Sequence, residues 1–187
     1  MTIPVYDLNV THVHQLKRHF DALNDADAVL RFGNRPDREM RHAYVDGIDF
    51  TRDSVFGVYA GDLSLLGVAH LACRDGEGEL GISVLPGHRF QGVGSALFDR
   101  AVTRARNRGI EELFMTCLAH NGAIMHIARK AGMKISIVQG GADAYLELPP
   151  GTALTLGDDL TEQGLASFDW ALKANADYMR RLAAVIA

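Results

Sequence analysis

The run Arg89-Phe90-Gln91-Gly92-Val93-Gly94-Ser95 has residue types and spacing suited to holding an anion. Two glycines separated by one residue let the backbone come close to another group, and the apolar residues from Ala96 onward recur at helical spacing, so the run opens a helix. The first N–H groups of a helix have no partner within it and sit at the positive end of its dipole, which makes such a start a seat for a phosphate or pyrophosphate. Two other nucleotide loops do not fit. The Gly-Lys-Ser/Thr ending of a P-loop is missing, because Ser95 and Ala96 follow Gly94; G-x-G-x-x-G fails at Leu97 and lacks a ribose-binding acid downstream.

An anion site of this kind needs a strand before it and a helix after it. Leu80, Ile82, Val84 and Leu85 form a short apolar run that Pro86-Gly87 ends, so Glu79 to Gly109 reads as strand, loop and helix. Ile110 to Ala119 reads as a second apolar strand, and Asn121 to Ala131 as a helix closed by Gly132 and Met133.

The pattern R-x-x-G-x-G between strand and helix resembles the acetyl-CoA pyrophosphate loop of the GNAT superfamily of N-acetyltransferases, Q/R-x-x-G-x-G/A. Asn121, Gly132 and Met133 stand where that superfamily's second cofactor motif has an asparagine and a Gly-aromatic pair. The resemblance covers residues 50 to 148. It implies an α/β (α+β) fold: a mixed, mostly antiparallel sheet with a parallel, splayed central pair, flanked by helices. It also implies acetyl-CoA as acetyl donor without a metal, held by Leu85, Arg89, Phe90, Gln91, Gly92, Val93, Gly94, Ser95 and Asn121. Relatives carry a glutamate at the start of the central strand as base, which here would be Glu79, directly or through a water; Glu77 is a second candidate and a plain surface glutamate the other reading.

The chain departs from the family at the proton donor to the coenzyme A thiolate. Many members have tyrosine seven residues after the motif asparagine, and Ala128 stands there. His126 is turned about 200° from that position on a helix; Tyr145, His120 or water would have to serve. The implied function is acetyl transfer to a primary amine, of a small molecule or a protein lysine. The rival is a non-catalytic acyl-CoA-binding regulatory module. Ala128 favours the rival and Glu79 the enzyme, while Leu30-Arg31-Phe32 before a helix also resembles the opening of bacterial protein-lysine acetyltransferases.

The remaining elements follow from pattern. Ile3 to Val10 reads as a strand, Thr11 as the cap of a helix from His12 to Leu23, residues 24–34 as a connection, and Pro36 to Ile48 as a second helix. His12, His14 and His19 read as surface or half-buried, since no set of metal ligands accompanies them. Arg31, Phe32, Met40 and Tyr44 are pocket or core. Val55–Ala60 and Leu63–Cys73 pair across Gly61-Asp62, a turn at Asp75 to Gly78 leads to the central strand, and Met133–Val138 pairs with Ala144–Leu148 across Gly140-Gly141.

Residues 1–150 thus form the acetyltransferase-like domain, and 151–187 a helical extension. Its stripe of Leu165, Phe168, Leu172, Met179, Leu182 and Ile186 either docks on the domain or joins a homodimer. Arg100, Arg104 and Arg108 make a row at i, i+4, i+8 that reads as a solvated face or a contact for an acidic partner.

Composition bounds the class. The 187 residues are 48% hydrophobic and 22% charged, enough for one sizeable core, and the net charge of -4 gives no global reason to bind nucleic acid or an anionic membrane. No secretory leader or membrane-length apolar run is legible, and Cys73 and Cys117 lack metal or redox spacing, so the expected location is cytoplasmic.

Overall fold

The computed structural model describes residues 3–186. A seven-stranded sheet runs through them, made of β1 (Tyr6–Leu8), β2 (Ser54–Tyr59), β3 (Leu65–Arg74), β4 (Glu77–Val84), β5 (Glu112–Leu118), β6 (Lys134–Val138) and β7 (Gly141–Glu147). The spatial order is β1-β2-β3-β4-β5-β7-β6, antiparallel everywhere except between β4 and β5. Helices α1 (Val13–Asp21), α2 (Asp25–Phe32), α3 (Arg38–Asp46), α4 (Val93–Asn107), α5 (Gly122–Lys130) and α6 (Ala153–Ile186) flank it.

Both faces of the sheet are covered, and each has its own core. Leu71, Leu80, Ile82 and Leu113 pack with Leu97, Phe98 and Ala101 of α4 and Ile127 and Ala128 of α5. On the other face Val55, Tyr59 and Val68 pack with Leu16 and Phe20 of α1 and Val45 of α3. All six residues of β2 are buried, as expected of a strand covered on both sides.

The central parallel pair is short. β4 and β5 share the rungs Glu77↔Glu112, Gly78↔Leu113 and Glu79↔Phe114 and then part, while β5 stays with β7 along its whole length. The remaining residues of β4 border a wedge-shaped gap that opens toward the start of α4.

Several local expectations are corrected. The segment 24–34 is a helix, α2, capped by Asn24, whose side chain accepts from the Asp27 N–H, and closed by left-handed Gly33. Asn9, not Thr11, caps the entry to α1, through a 3-10 turn at Val10–His12. β1 spans only Tyr6–Leu8, and β3 resumes at Leu65 because Ala60 to Ser64 form the turn. In the last hairpin the turn is Gln139-Gly140, both at positive φ, and Gly141 already belongs to β7.

The arginine row is no solvated face. Arg100 is 1% exposed, pairs with Asp159 and with Asp7 at 3.2 Å, and lies 3.4 Å from Glu162. Arg104 joins the same acids at 2.9 and 3.1 Å, and Arg108 donates to the Ser54 hydroxyl. The acidic partner of the row is the chain's own α6 and β1.

That pinning also decides which side of α6 meets the domain, and of the two expected places for its apolar stripe the domain is not the one occupied. Its inner face carries Asp159, Ala166, Trp170 and Lys173: the Trp170 ring meets Tyr59 edge-on at 5.0 Å, and the Lys173 ammonium donates to the Tyr59 carbonyl. Leu165, Phe168, Leu172, Met179 and Leu182 face outward, with Phe168 66% exposed. The Ile186 side chain lies outside the described residues.

Candidate active site

A cavity of about 650 Å³ occupies the wedge beside β4. Four elements wall it: α2, the end of β4, the loop that becomes α4, and α5 with its cap. Of the residues expected to hold the donor, Arg89, Phe90, Gly92, Gly94, Ser95 and Asn121 line it. Leu85, Gln91 and Val93 do not: Leu85 packs against the α1 core, Gln91 donates to the Gly87 carbonyl, and Val93, the first residue of α4, is buried against Gly67 of β3.

The loop is built for close approach. Gly92 has φ +86°, a conformation L side chains rarely adopt, and serves as N-cap of α4 with no side chain hydrogen-bonding the first turn. The first N–H groups of α4 are therefore left for a ligand. A Cβ at Gly94 would lie 3.0 Å from Ile127 Cδ1, so a larger side chain there would press on α5 and fill the cavity. Asn121 caps α5 by accepting from the Ile124 N–H and donates at 3.3 Å to the Leu30 carbonyl, tying α5 to α2. These features suit a pyrophosphate-bearing molecule such as a coenzyme A thioester.

Opposite this loop stand residues that the sequence analysis did not single out as site residues. Asp27 meets Arg89 at 2.5 Å, and its second oxygen is buried without a hydrogen-bond partner. Ser83, on β4, lies 2.7 Å from His19 Nε2. His19 was expected at the surface or half-buried but is 2% exposed. Its Nδ1 faces the Leu65 carbonyl at 3.0 Å and so carries the ring proton, leaving Nε2 to accept from the Ser83 hydroxyl. Burial, with the Arg31 charge adding to it and the carbonyl opposing it, lowers the His19 pKa to about 4, so the ring is neutral.

A second chain of hydrogen bonds holds Arg31. Its guanidinium donates to the Tyr44 hydroxyl at 2.6 Å and sits 5.1 Å from the centres of both the Phe32 and Tyr44 rings. Tyr44 donates to His70 Nδ1 at 2.7 Å, and His70 Nε2 faces Asp53 at 3.1 Å. Burial opposes ionisation of Asp53, but Arg74, the Cys73 N–H and His70 outweigh it and hold the carboxyl below its usual range. Burial lowers the His70 pKa despite Asp53. Phe32 and Tyr44 thus serve the α1 core and Met40 is exposed, while Arg31 reaches the cavity.

Glu79 is exposed and does not line the cavity; it occupies the last rung shared by β4 and β5, at the vertex of the wedge. Ala128 is fully buried in the core, whereas His126 lines the cavity. Sequence signals for the missed residues existed. Ser83 interrupts an apolar strand, and His19 lies three residues after Leu16, on the edge of the buried stripe. Among the described residues no three His, Cys, Asp or Glu side chains gather as metal ligands, and no helix is long and apolar enough to cross a membrane.

A family model described as the acetyltransferase (GNAT) family matches residues 20–133. No curated protein matches the chain. Among solved structures, the chain is similar to the GNAT domain of S. lividans PAT, at 20% identity over 77% of this chain and 89% of that one, with a TM-score of 0.66. It is similar to a ribosomal-protein-alanine N-acetyltransferase from Brucella melitensis, at 16% identity, 77% and 99% coverage and TM-score 0.59. It is also similar to PaiA N-acetyltransferase from Thermoplasma acidophilum in complex with coenzyme A, at 15% identity, 79% and 99% coverage and TM-score 0.58. At these identities the likeness establishes the fold.

Proposed function

The chain belongs to the acetyltransferase (GNAT) family, and from that premise we propose that it moves an acetyl group from acetyl-CoA to a primary amine by direct attack. The observation that carries the reading is that one cavity joins an uncapped helix start at Gly92–Ser95 to a polar wall at Ser83 and Arg31. The similar structure that holds coenzyme A supports the choice of donor.

In this reading the first N–H groups of α4 and the Arg89 guanidinium hold the pyrophosphate, and Phe90 and Asn121 shape the channel. The edge of β4 that β5 leaves after Glu79 offers unpaired backbone N–H groups to the thioester carbonyl as its oxygen gains charge. Glu79 takes the acceptor's proton through water at the vertex of the wedge. The amine lone pair forms the new C–N bond, the C–S bond breaks, and the thiolate takes a proton for which His126 is the cavity-lining donor.

The buried Ala128 gives one specific reason to keep a second reading, a non-catalytic acyl-CoA-binding module. Amine-dependent release of thiol from acetyl-CoA separates the two. Two free cysteines among the described residues suit a reducing compartment such as the cytoplasm. Leu165, Phe168, Leu172, Met179 and Leu182 recur at steps of three, four and seven and face outward, so α6 pairs with α6 of a second copy in a homodimer.

A further inference from the structure

Arg31 is a charged side chain that the proposed acetyl transfer does not use. It is half-buried in the cavity wall, and among the described residues it pairs with no carboxylate and makes one hydrogen bond, to Tyr44. The other arginine that lines the cavity, Arg89, is paired with Asp27. A half-buried guanidinium without a counter-charge leaves donors open to the cavity, and two aromatic faces and the Tyr44 hydroxyl fix it in place. Tyr44 is fixed in turn by His70 and Asp53.

The position is built. Arg31 lies against Gly81 of β4, where a Cβ would fall on the guanidinium. Ser83 is two residues further along the same strand face, about 7 Å away by strand rise. Because the Ser83 proton is committed to His19, its oxygen can offer the cavity only lone pairs, which suits an N–H donor. The cavity therefore presents an acceptor of N–H and, a few bonds distant, an open planar fork of donors that matches a carboxylate.

We propose that Arg31 binds a carboxylate of the acceptor, and that the substrates are small amines bearing a carboxylate a few bonds from the amino group. This rests on the acetyltransferase reading above and specifies its substrate class.

The test uses matched acceptors with and without the carboxylate, glycine against methylamine, β-alanine against ethylamine and γ-aminobutyrate against propylamine, compared at equal free-amine concentration. The expected result is a kcat/KM at least tenfold higher for the acid in at least one pair. Arg31→Gln abolishes that preference, Arg31→Lys keeps part of it, and acetyl-CoA affinity measured by calorimetry is unchanged. A second readout does not need turnover: with coenzyme A present, N-acetyl-β-alanine binds at least tenfold tighter than N-ethylacetamide in the parent chain and equally in Arg31→Gln. If these ligands discriminate but no amine is acetylated, the acetyl-transfer reading fails and the carboxylate site stands. If amines are acetylated without preference, or Arg31→Gln slows both members of each pair equally, the carboxylate site is wrong and the transferase reading stands.

Discussion

Asp27 and Arg89 meet at 2.5 Å across the cavity, so a carboxylate of α2 holds the arginine that opens the donor loop. Arg89 Nε also donates to the Val84 carbonyl at 3.2 Å, at the end of β4. One side chain thus fastens α2, β4 and the loop together. Removing one partner of a buried pair leaves an uncompensated charge, so Arg89→Ala should cost about 2 kcal/mol or more, because Asp27 is the more buried partner. Asp27→Asn in that background should recover part of the loss. Urea denaturation of the two single variants and the double variant measures the coupling; strictly additive effects would mean the pair is not formed.

Glu79 sits on the last rung before β4 and β5 separate, outside the cavity wall, so in the proposed reaction it acts through water. Glu79→Gln should depress turnover most near neutral pH and least at high pH, where free amine is already abundant. Parallel pH–rate profiles for the two proteins would remove Glu79 from the base role.

His19 makes stability depend on pH with a defined sign. Its folded pKa of about 4 lies below the ordinary 6.5, so between those values the unfolded chain binds a proton that the folded chain refuses. The associated stability is complete above pH 6.5 and is lost as pH falls toward 4, by up to about 3 kcal/mol. His19→Gln, which cannot titrate, should show a shallower loss over the same window. Equal slopes in denaturation midpoints from pH 7 to pH 4 would show that His19 is not buried neutral.

Much of the site was legible because the signal is local. Strand, glycine loop and helix follow one another within Glu79 to Gly109, and each boundary is set by Pro86, Gly87, Gly92 and the helical spacing after it. The missed features depend on distance in sequence or on short length. α2 is eight residues, too few for periodicity to declare, and its cap rests on a single Asn24. Arg100 looked solvated because its acids, Asp7 and Asp159, are far along the chain. The stripe of α6 was read as apolar with two destinations left open, the domain or a second copy; it faces away from the domain, since ion pairs and Trp170 rather than the leucines decide which face docks.

The two faces of α6 give opposite expectations for two changes in it. Phe168→Glu with Leu172→Glu alters only the outward face, so light scattering should show a shift from dimer to monomer while each monomer stays folded. A chain ending at Pro150 loses Asp159 and Glu162 and leaves Arg100 and Arg104 facing Asp7 alone, so its melting temperature should fall. Unchanged mass in the first case would remove the dimer, and an unchanged melting temperature in the second would make α6 dispensable.

Acetyl transfer to amines in this cavity can be measured directly. The direct measurement is thiol release from acetyl-CoA across an amine panel, with the acetylated product identified by mass and Gly94→Asp as control. The expected result is release that depends on added amine, one acetylated product for each thiol, and strong loss in folded Gly94→Asp, whose carboxylate would enter the cavity beside the start of α4. Tight acetyl-CoA binding without amine-dependent release, or release undiminished in Gly94→Asp, would contradict it.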